Sequence, residues 1–176
     1  MTLRRITSSL AAAACAALLA ACSYAPVDPR GAFGQDVRTI QLAMFENRST
    51  EAGLEALIGD ALQEEFVRRG VLKPVFSEGR RGDIVMNGSV IGVEVRPAAF
   101  SSVALSVEDT IDVSYDVSVQ RQKDGDTLWA SGARTQRERF LASADPQVYE
   151  SNKEQALRRL AARVASQIHD DLFQTR

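Results

Sequence analysis

Residues 109–120 alternate strictly, with Ile111, Val113, Tyr115, Val117 and Val119 on one parity and Asp112, Ser114, Asp116 and Ser118 on the other. That period of two predicts a strand with one face on a core and the other toward water or a polar partner. Upstream, residues 83–95 carry Val85, Ile91, Val93 and Val95 on one parity but Ile84, Met86 and Val90 on the other. Gly88 and Gly92 within this strand point to bulges or close packing. Arg96 and Pro97 are expected to end it, since proline offers no N–H to a ladder. Beyond residue 120, Asp124-Gly125 marks a hairpin turn, and a returning strand is expected over residues 127–140, with Leu128 and Trp129 near its start. Its end, residues 134–139, is too polar on both faces for a deep core. Near the start of the chain, residues 37–45 set Ile40, Leu42 and Met44 against Thr39 and Gln41, with Val37, Ala43 and Phe45 making the second face partly apolar. This suits a strand in a parallel or central position. A short strand over residues 71–76 is also expected.

Two stretches change to a helical period. Leu54, Leu57, Ile58, Ala61, Leu62 and Phe66 define an apolar stripe that follows the capping types Ser49 and Thr50 and stops at Gly70. Glu64 and Glu65 read as part of its solvated face. Asp145-Pro146 supplies a cap and a first helical proline for a long helix to about Phe173. Its stripe is Ala156, Leu157, Leu160, Ala161, Val164, Ile168 and Leu172. The order β-α-β-β-β-α predicts an α+β fold. It would be a mixed or antiparallel sheet of about four strands with both helices packed on one face.

The first residues carry a different signal. Arg4 and Arg5 precede an apolar run over residues 10–21, short of the roughly 20 residues a bilayer span needs. Leu18-Leu19-Ala20-Ala21-Cys22 then has the shape of a bacterial lipobox. The expectation is a signal peptide over residues 1–21, diacylglyceryl attachment and cleavage at Cys22, a flexible lipidated leash over 22–36 and one domain over 37–176. Pro26, Pro29, Gly31 and Gly34 favour the leash. Ser23 lacks the acidic inner-membrane retention signal, so outer-membrane delivery is expected.

Composition narrows the function. The formal charge of −2 becomes −4 once Arg4 and Arg5 are removed, with no basic stripe of the kind nucleic acid demands. Of the two cysteines, Cys15 falls in the signal and Cys22 takes lipid, which leaves none for a disulfide. The single histidine, His169, stands beside Asp170 and Asp171 and reads as a solvated helix-end side chain. One histidine without a free thiol is a poor zinc set, and neither a Gly-x-Ser-x-Gly elbow nor a Walker-type loop occurs. No catalytic residue, metal or cofactor is expected.

In order, "MFENRSTEAGLEALIGDALQEEFVRRG", "GDIVMNGSVIGVEVRPAAF", the Tyr115 strand, the Asp124-Gly125 turn, "LWASG" and the Ala156-Leu157 helix resemble the LptE family of lipopolysaccharide-assembly lipoproteins. The resemblance implies a non-enzymatic outer-membrane lipoprotein, on the periplasmic side or inside a barrel lumen. It would plug the β-barrel LptD, help that barrel assemble and deliver lipopolysaccharide. Such a ligand offers phosphates and acyl chains, which makes Arg96 beside Pro97 and Phe100, Arg121, Lys123, Arg134, Arg137 and Arg139 candidate contacts. Arg137 and Arg139 share a strand face; Arg134 points the other way. The "FENRS" segment is also similar to other envelope lipoproteins, so an interaction module that regulates a peptidoglycan synthase or joins another secretion assembly is the alternative.

Overall fold

The computed structural model describes residues 33, 34, 36–75, 81–100 and 106–173. In chain order the elements are β1 (Thr39–Leu42), β2 (Glu46–Asn47), α1 (Leu54–Arg69), β3 (Lys73–Val75), β4 (Ile84–Phe100), β5 (Ser106–Arg121), β6 (Thr127–Ala130), β7 (Arg134–Leu141) and α2 (Pro146–Phe173). The strands form one mixed seven-stranded sheet in the order β3-β1-β4-β5-β6, with β2 also on β4 and β7 also on β5. β1 runs parallel to β3 and β4, and β2 parallel to β4, while β4, β5, β6 and β7 pair antiparallel. The α+β class is as expected, but the sheet exceeds four strands because the short strand expected over residues 71–76 joins it as β3, β2 is added, and the returning strand divides into β6 and β7. The first expected strand ends at Leu42, short of residue 45, and β2 forms just beyond the expected stretch. The returning strand divides at Gly132, whose φ of +62° turns the backbone. There Val117 N–H donates to Ser131 Oγ at 3.0 Å and Ser131 N–H to Val117 O at 2.9 Å.

β4 explains its mixed parity. Val90 pairs Tyr115 and Gly92 pairs Ser114, so Ile91 is the extra residue of a bulge. Ile84, Met86 and Val90 face the core before it, and Val93 joins the core face after it. Gly88 serves the other purpose expected of these glycines, since the buried Phe45 ring lies against its backbone. Pro97 does not end the strand, as β4 continues to Phe100. The pairing of β1 and β2 with β4 stops at Val90, so among the described residues Pro97 sits where β4 has no neighbour on that side, and there a missing N–H costs no ladder bond.

Helix α1 begins later than Ser49 and Thr50 implied. Its N-cap is Gly53, with φ of 84° and no side-chain bond, while Ser49 binds Asn47 Oδ1 through both N–H and hydroxyl. Gly70 closes it as expected, with φ of 66° and its N–H donating to Phe66 O. For α2, Asp145 Oδ1 accepts the Gln147 N–H at 2.9 Å. The two helices lie side by side on one face, α1 against β1 to β4 and α2 against β5 and β7. Leu54, Ile58, Leu62 and Phe66 join Leu160, Val164 and Ile168 over Ile84, Met86, Ile111, Val113, Tyr115 and Val117. Burying such side chains contributes roughly 1.5–3 kcal/mol each, the source of stability in a domain without a disulfide.

Candidate functional site

The other face of the sheet is polar and carries no helix among the described residues. Across β4, β5 and β7 the register aligns Glu94, Asp112 and Arg137 in one row and Arg96, Thr110 and Arg139 in the next. Asp112 is nearly buried at the centre. Arg137 grips it with two bonds, Nε to Oδ1 at 2.6 Å and Nη2 to Oδ2 at 3.0 Å, and Arg96 donates to Oδ2 from the other side. One carboxylate thus ties three strands. The Arg137 hydrogen bonds, helped by Arg96 and opposed by burial, hold the Asp112 carboxyl below the usual range.

The six cations expected to bind ligand separate into three places. Arg96, Arg137 and Arg139 converge on the polar face, the last two as their shared parity implied, with half or more of each side chain exposed. Arg134 turns to the helix side and pairs with Asp171 at 3.8 Å, also as expected. Arg121 and Lys123 lie at the far end of β5, about 30–40 Å along the strand from Arg96 at ~3.4 Å per residue. There they line a cleft of about 310 Å³ with Asp36, Arg81 and Asp83, and Arg121 contacts Asp36 and the Phe33 carbonyl, each at 3.3 Å. Cys22 lies outside the described residues, as does the Phe100 side chain.

Charge decides what the central patch can do. Its arginines meet Glu94 (3.7 Å from Arg96), Glu108 (3.7 Å from Arg139) and the shared Asp112, so three cations face three carboxylates. This is no bare anion hole. It is a set of guanidinium donors oriented by carboxylates, with half or more of each side chain exposed.

Sequence reasoning missed several buried charges. Glu65 is buried rather than solvated, bound by Arg68 and by Arg69 Nε at 2.6 Å. Glu138 of β7 faces the helices and accepts from Arg159 Nε at 2.8 Å and from Arg163. Tyr149 donates to Asp109 Oδ2 at 2.9 Å, and burial with that bond pushes its phenol up to about 12. His169 is also buried, at 3% exposure, among Phe66 and Phe173, and neither ring nitrogen has a hydrogen-bond partner. A solvated helix-end role is therefore wrong. Its position four after Ala165 and three before Leu172, on the inward stripe, was the available signal. Asp170 is turned away to Arg69 Nη1 at 2.6 Å. Among the described residues no His, Cys, Asp and Glu group could hold a metal, and no helix is long and apolar enough to cross a membrane.

Comparison with known proteins starts from this geometry. A candidate lipoprotein from Caulobacter crescentus superposes with TM-score 0.51 at 15% identity, over 73% of this chain and 87% of that one. A hypothetical protein from Chlamydia trachomatis gives TM-score 0.51 at 8% identity, over 79% and 99%. The rare lipoprotein B from Shewanella oneidensis gives 0.48 at 13%, over 75% and 92%. At these identities the first two show a shared fold alone. No curated protein matches by sequence. The family model LptE, described as lipopolysaccharide-assembly, matches residues 37–172, from just before β1 almost to the end of α2. With both layers of the fold inside that match, the chain belongs to the LptE family.

Proposed function

We propose that this protein is an outer-membrane lipoprotein, anchored through lipid on Cys22, that complexes the β-barrel LptD and serves the assembly and translocation of lipopolysaccharide without catalysing a reaction. The observation that carries the reading is the family match over residues 37–172. The helix-free face supports it. Thr110, Asp112, Ser114 and Asp116 along β5 make that face hydrophilic, which suits a water-lined barrel interior. Helices α1 and α2 keep the opposite face covered, so contact with a partner need not disturb the core. On this reading Arg96, Arg137 and Arg139 receive lipopolysaccharide phosphates as a set, since half or more of each side chain is exposed and Asp112 already orients two of them, Arg96 and Arg137. The mechanism is then recognition and positioning, with the protein presenting fixed donors while the lipid moves past.

The test is affinity capture of the full chain from outer membranes. Stoichiometric recovery of LptD supports the reading; recovery of a peptidoglycan synthase or a different export pore in its place overturns it. In the same preparations, the combined change Arg96→Gln, Arg137→Gln and Arg139→Gln should weaken lipopolysaccharide binding at least tenfold while LptD capture persists. Unchanged binding would remove these three residues from the site.

A further inference from the structure

We propose that His169 and three phenylalanines form a proton-sensitive latch: the neutral imidazole keeps Phe33, and with it the start of the domain, seated on the end of α2, and protonation frees that start. The latch rests on contacts within the domain and stands apart from the lipopolysaccharide reading.

Two observations meet at this place. The first is Phe33, which falls in the stretch expected as leash yet is 3% exposed. Its ring stands edge-on to that of Phe173 in the last turn of α2, with centroids 5.8 Å apart. Few polar contacts fasten this start. Arg121 reaches the Phe33 carbonyl and Asp36, each at 3.3 Å, and Val37 N–H closes a turn on the Gly34 carbonyl at 3.2 Å. The second observation is His169, one turn before Phe173. Its ring centroid lies 4.6 Å from that of Phe173 and 5.2 Å from that of Phe66 in α1. Phe173 therefore packs on both the imidazole and Phe33.

The neutral and charged rings differ in what they need. A neutral imidazole has one N–H donor and one acceptor, whereas the charged ring presents two donors. Both His169 nitrogens are buried and lack a hydrogen-bond partner among the described residues, which penalises the charged ring far more than the neutral one. The carboxylates around it are already engaged. From α1, the two Glu65 oxygens accept from Arg68 and Arg69, and those guanidinium groups repel a further cation. On α2 itself, Asp170 accepts from Arg69 Nη1 at 2.6 Å and Asp171 pairs with Arg134. Arg121, from β5, is another cation, and Asp36 and Asp124 are paired with it. Burial first, then Arg69, hold the imidazole pKa below its ordinary value against Glu65 and Asp170.

The proton thus binds best when the ring reaches water, and helix ends are where such opening is easiest. His169 stands in the last turn of α2. Turning the imidazole outward removes the ring on which Phe173 packs, and Phe33 then keeps little beyond the long bonds from Arg121. The freed start adds about four residues, or roughly 13 Å at ~3.3 Å each, to the reach of the chain. Given the anchor on Cys22 proposed above, acid would let the domain stand farther from its membrane.

The test uses the full chain without a histidine tag, in dodecylmaltoside micelles at pH 7.5 and 5.5. His169 is the one histidine in the sequence, so its imidazole signal in a proton NMR titration is unambiguous. Hydrogen exchange, corrected for its intrinsic pH dependence, reads the opening. At one unit below the ordinary histidine value of about 6.5, an open form that takes up the proton is favoured about tenfold. Protection at Val37 and in the last turn of α2 should therefore fall about tenfold from pH 7.5 to 5.5, while protection across β5 holds. His169→Phe, and equally His169→Leu, should remove that drop. Phe33→Ala should leave Val37 unprotected at both pH values and move the imidazole titration up toward 6.5, with β5 protection reporting that the variant is folded. Absence of lipid on Cys22 would change none of these readouts. The latch is overturned if Val37 is as protected at pH 5.5 as at 7.5, if its protection is lost together with that of β5, if the His169 variants show the same drop, or if Phe33→Ala leaves the imidazole titration where it was.

Discussion

Gly88→Ala isolates one contact whose cost can be worked out beforehand. A Cβ built on Gly88 overlaps Phe45 Cε1 and Cζ and lies 2.8 Å from Cδ1, against about 3.5–4.0 Å for ordinary carbon contact. The ring cannot swing into water, because Phe45 is 4% exposed and belongs to the core cluster. Overpacking of this kind costs about 1–3 kcal/mol, and the crowding of several ring atoms puts it near the top of that range. Alanine regains about 0.5–1 kcal/mol over glycine by restricting the unfolded chain. The net expectation is a loss of about 2 kcal/mol, or about 4–8 °C in Tm for a domain of this size. Gly92→Ala is the matched control: it lies in the same strand, has nothing within 4 Å of the new methyl, and should be neutral or slightly stabilising. Urea unfolding followed by circular dichroism reads both, and Phe45→Leu should recover part of the Gly88→Ala loss. If Gly88→Ala unfolds at the same urea concentration as Gly92→Ala, close packing of Phe45 is not why glycine stands there.

Two further outcomes follow from buried charge. Burial, with Arg69 and Arg68 nearby, lowers the His169 pKa against the opposing pull of Glu65 and Asp170, so the unfolded chain takes up a proton more readily than the folded one. Stability should therefore fall as pH drops below about 6.5, the ordinary histidine value, and His169→Leu should abolish that slope between pH 7 and 5 in urea titrations; an unaltered slope refutes the assignment. Asp112→Asn should cost about 1–2 kcal/mol, fewer than its charged hydrogen bonds would give in a dry interior because both guanidinium groups are half exposed. Since the Asp112 pKa is lowered on folding, its contribution is present above about pH 4 and lost as pH falls through the folded value, so the variant should show a flatter acid limb; a parallel limb would exclude Asp112 as a contributor.

The two layers were legible because they depend on local periodicity. The alternation around Tyr115 and the Asp145-Pro146 start of α2 reappear almost residue for residue. What was misread involves distant partners. Pro97 was expected to end a strand, yet it ends nothing where β1 and β2 have already left β4. Glu65 reads as solvated from its own helix, and only Arg68 and Arg69 folding over it make burial tolerable. Of the candidate cations, parity separated Arg134 from Arg137 and Arg139, but Asp112 as the anchor shared by Arg96 and Arg137 needed the strand register.

By itself, then, the sequence determined the α+β class, both helical stripes, the polar and apolar faces of β5 and the family resemblance, since each is written in residue spacing along a few turns or pleats. The tertiary structure alone decided the strand order, the bulge at Ile91, the Arg96–Asp112–Arg137 tie and the cover that α2 lays over the β7 edge. These depend on which backbone groups meet across tens of residues, and pairings of that range are selected by the whole sheet closing on its helices rather than by any local pattern.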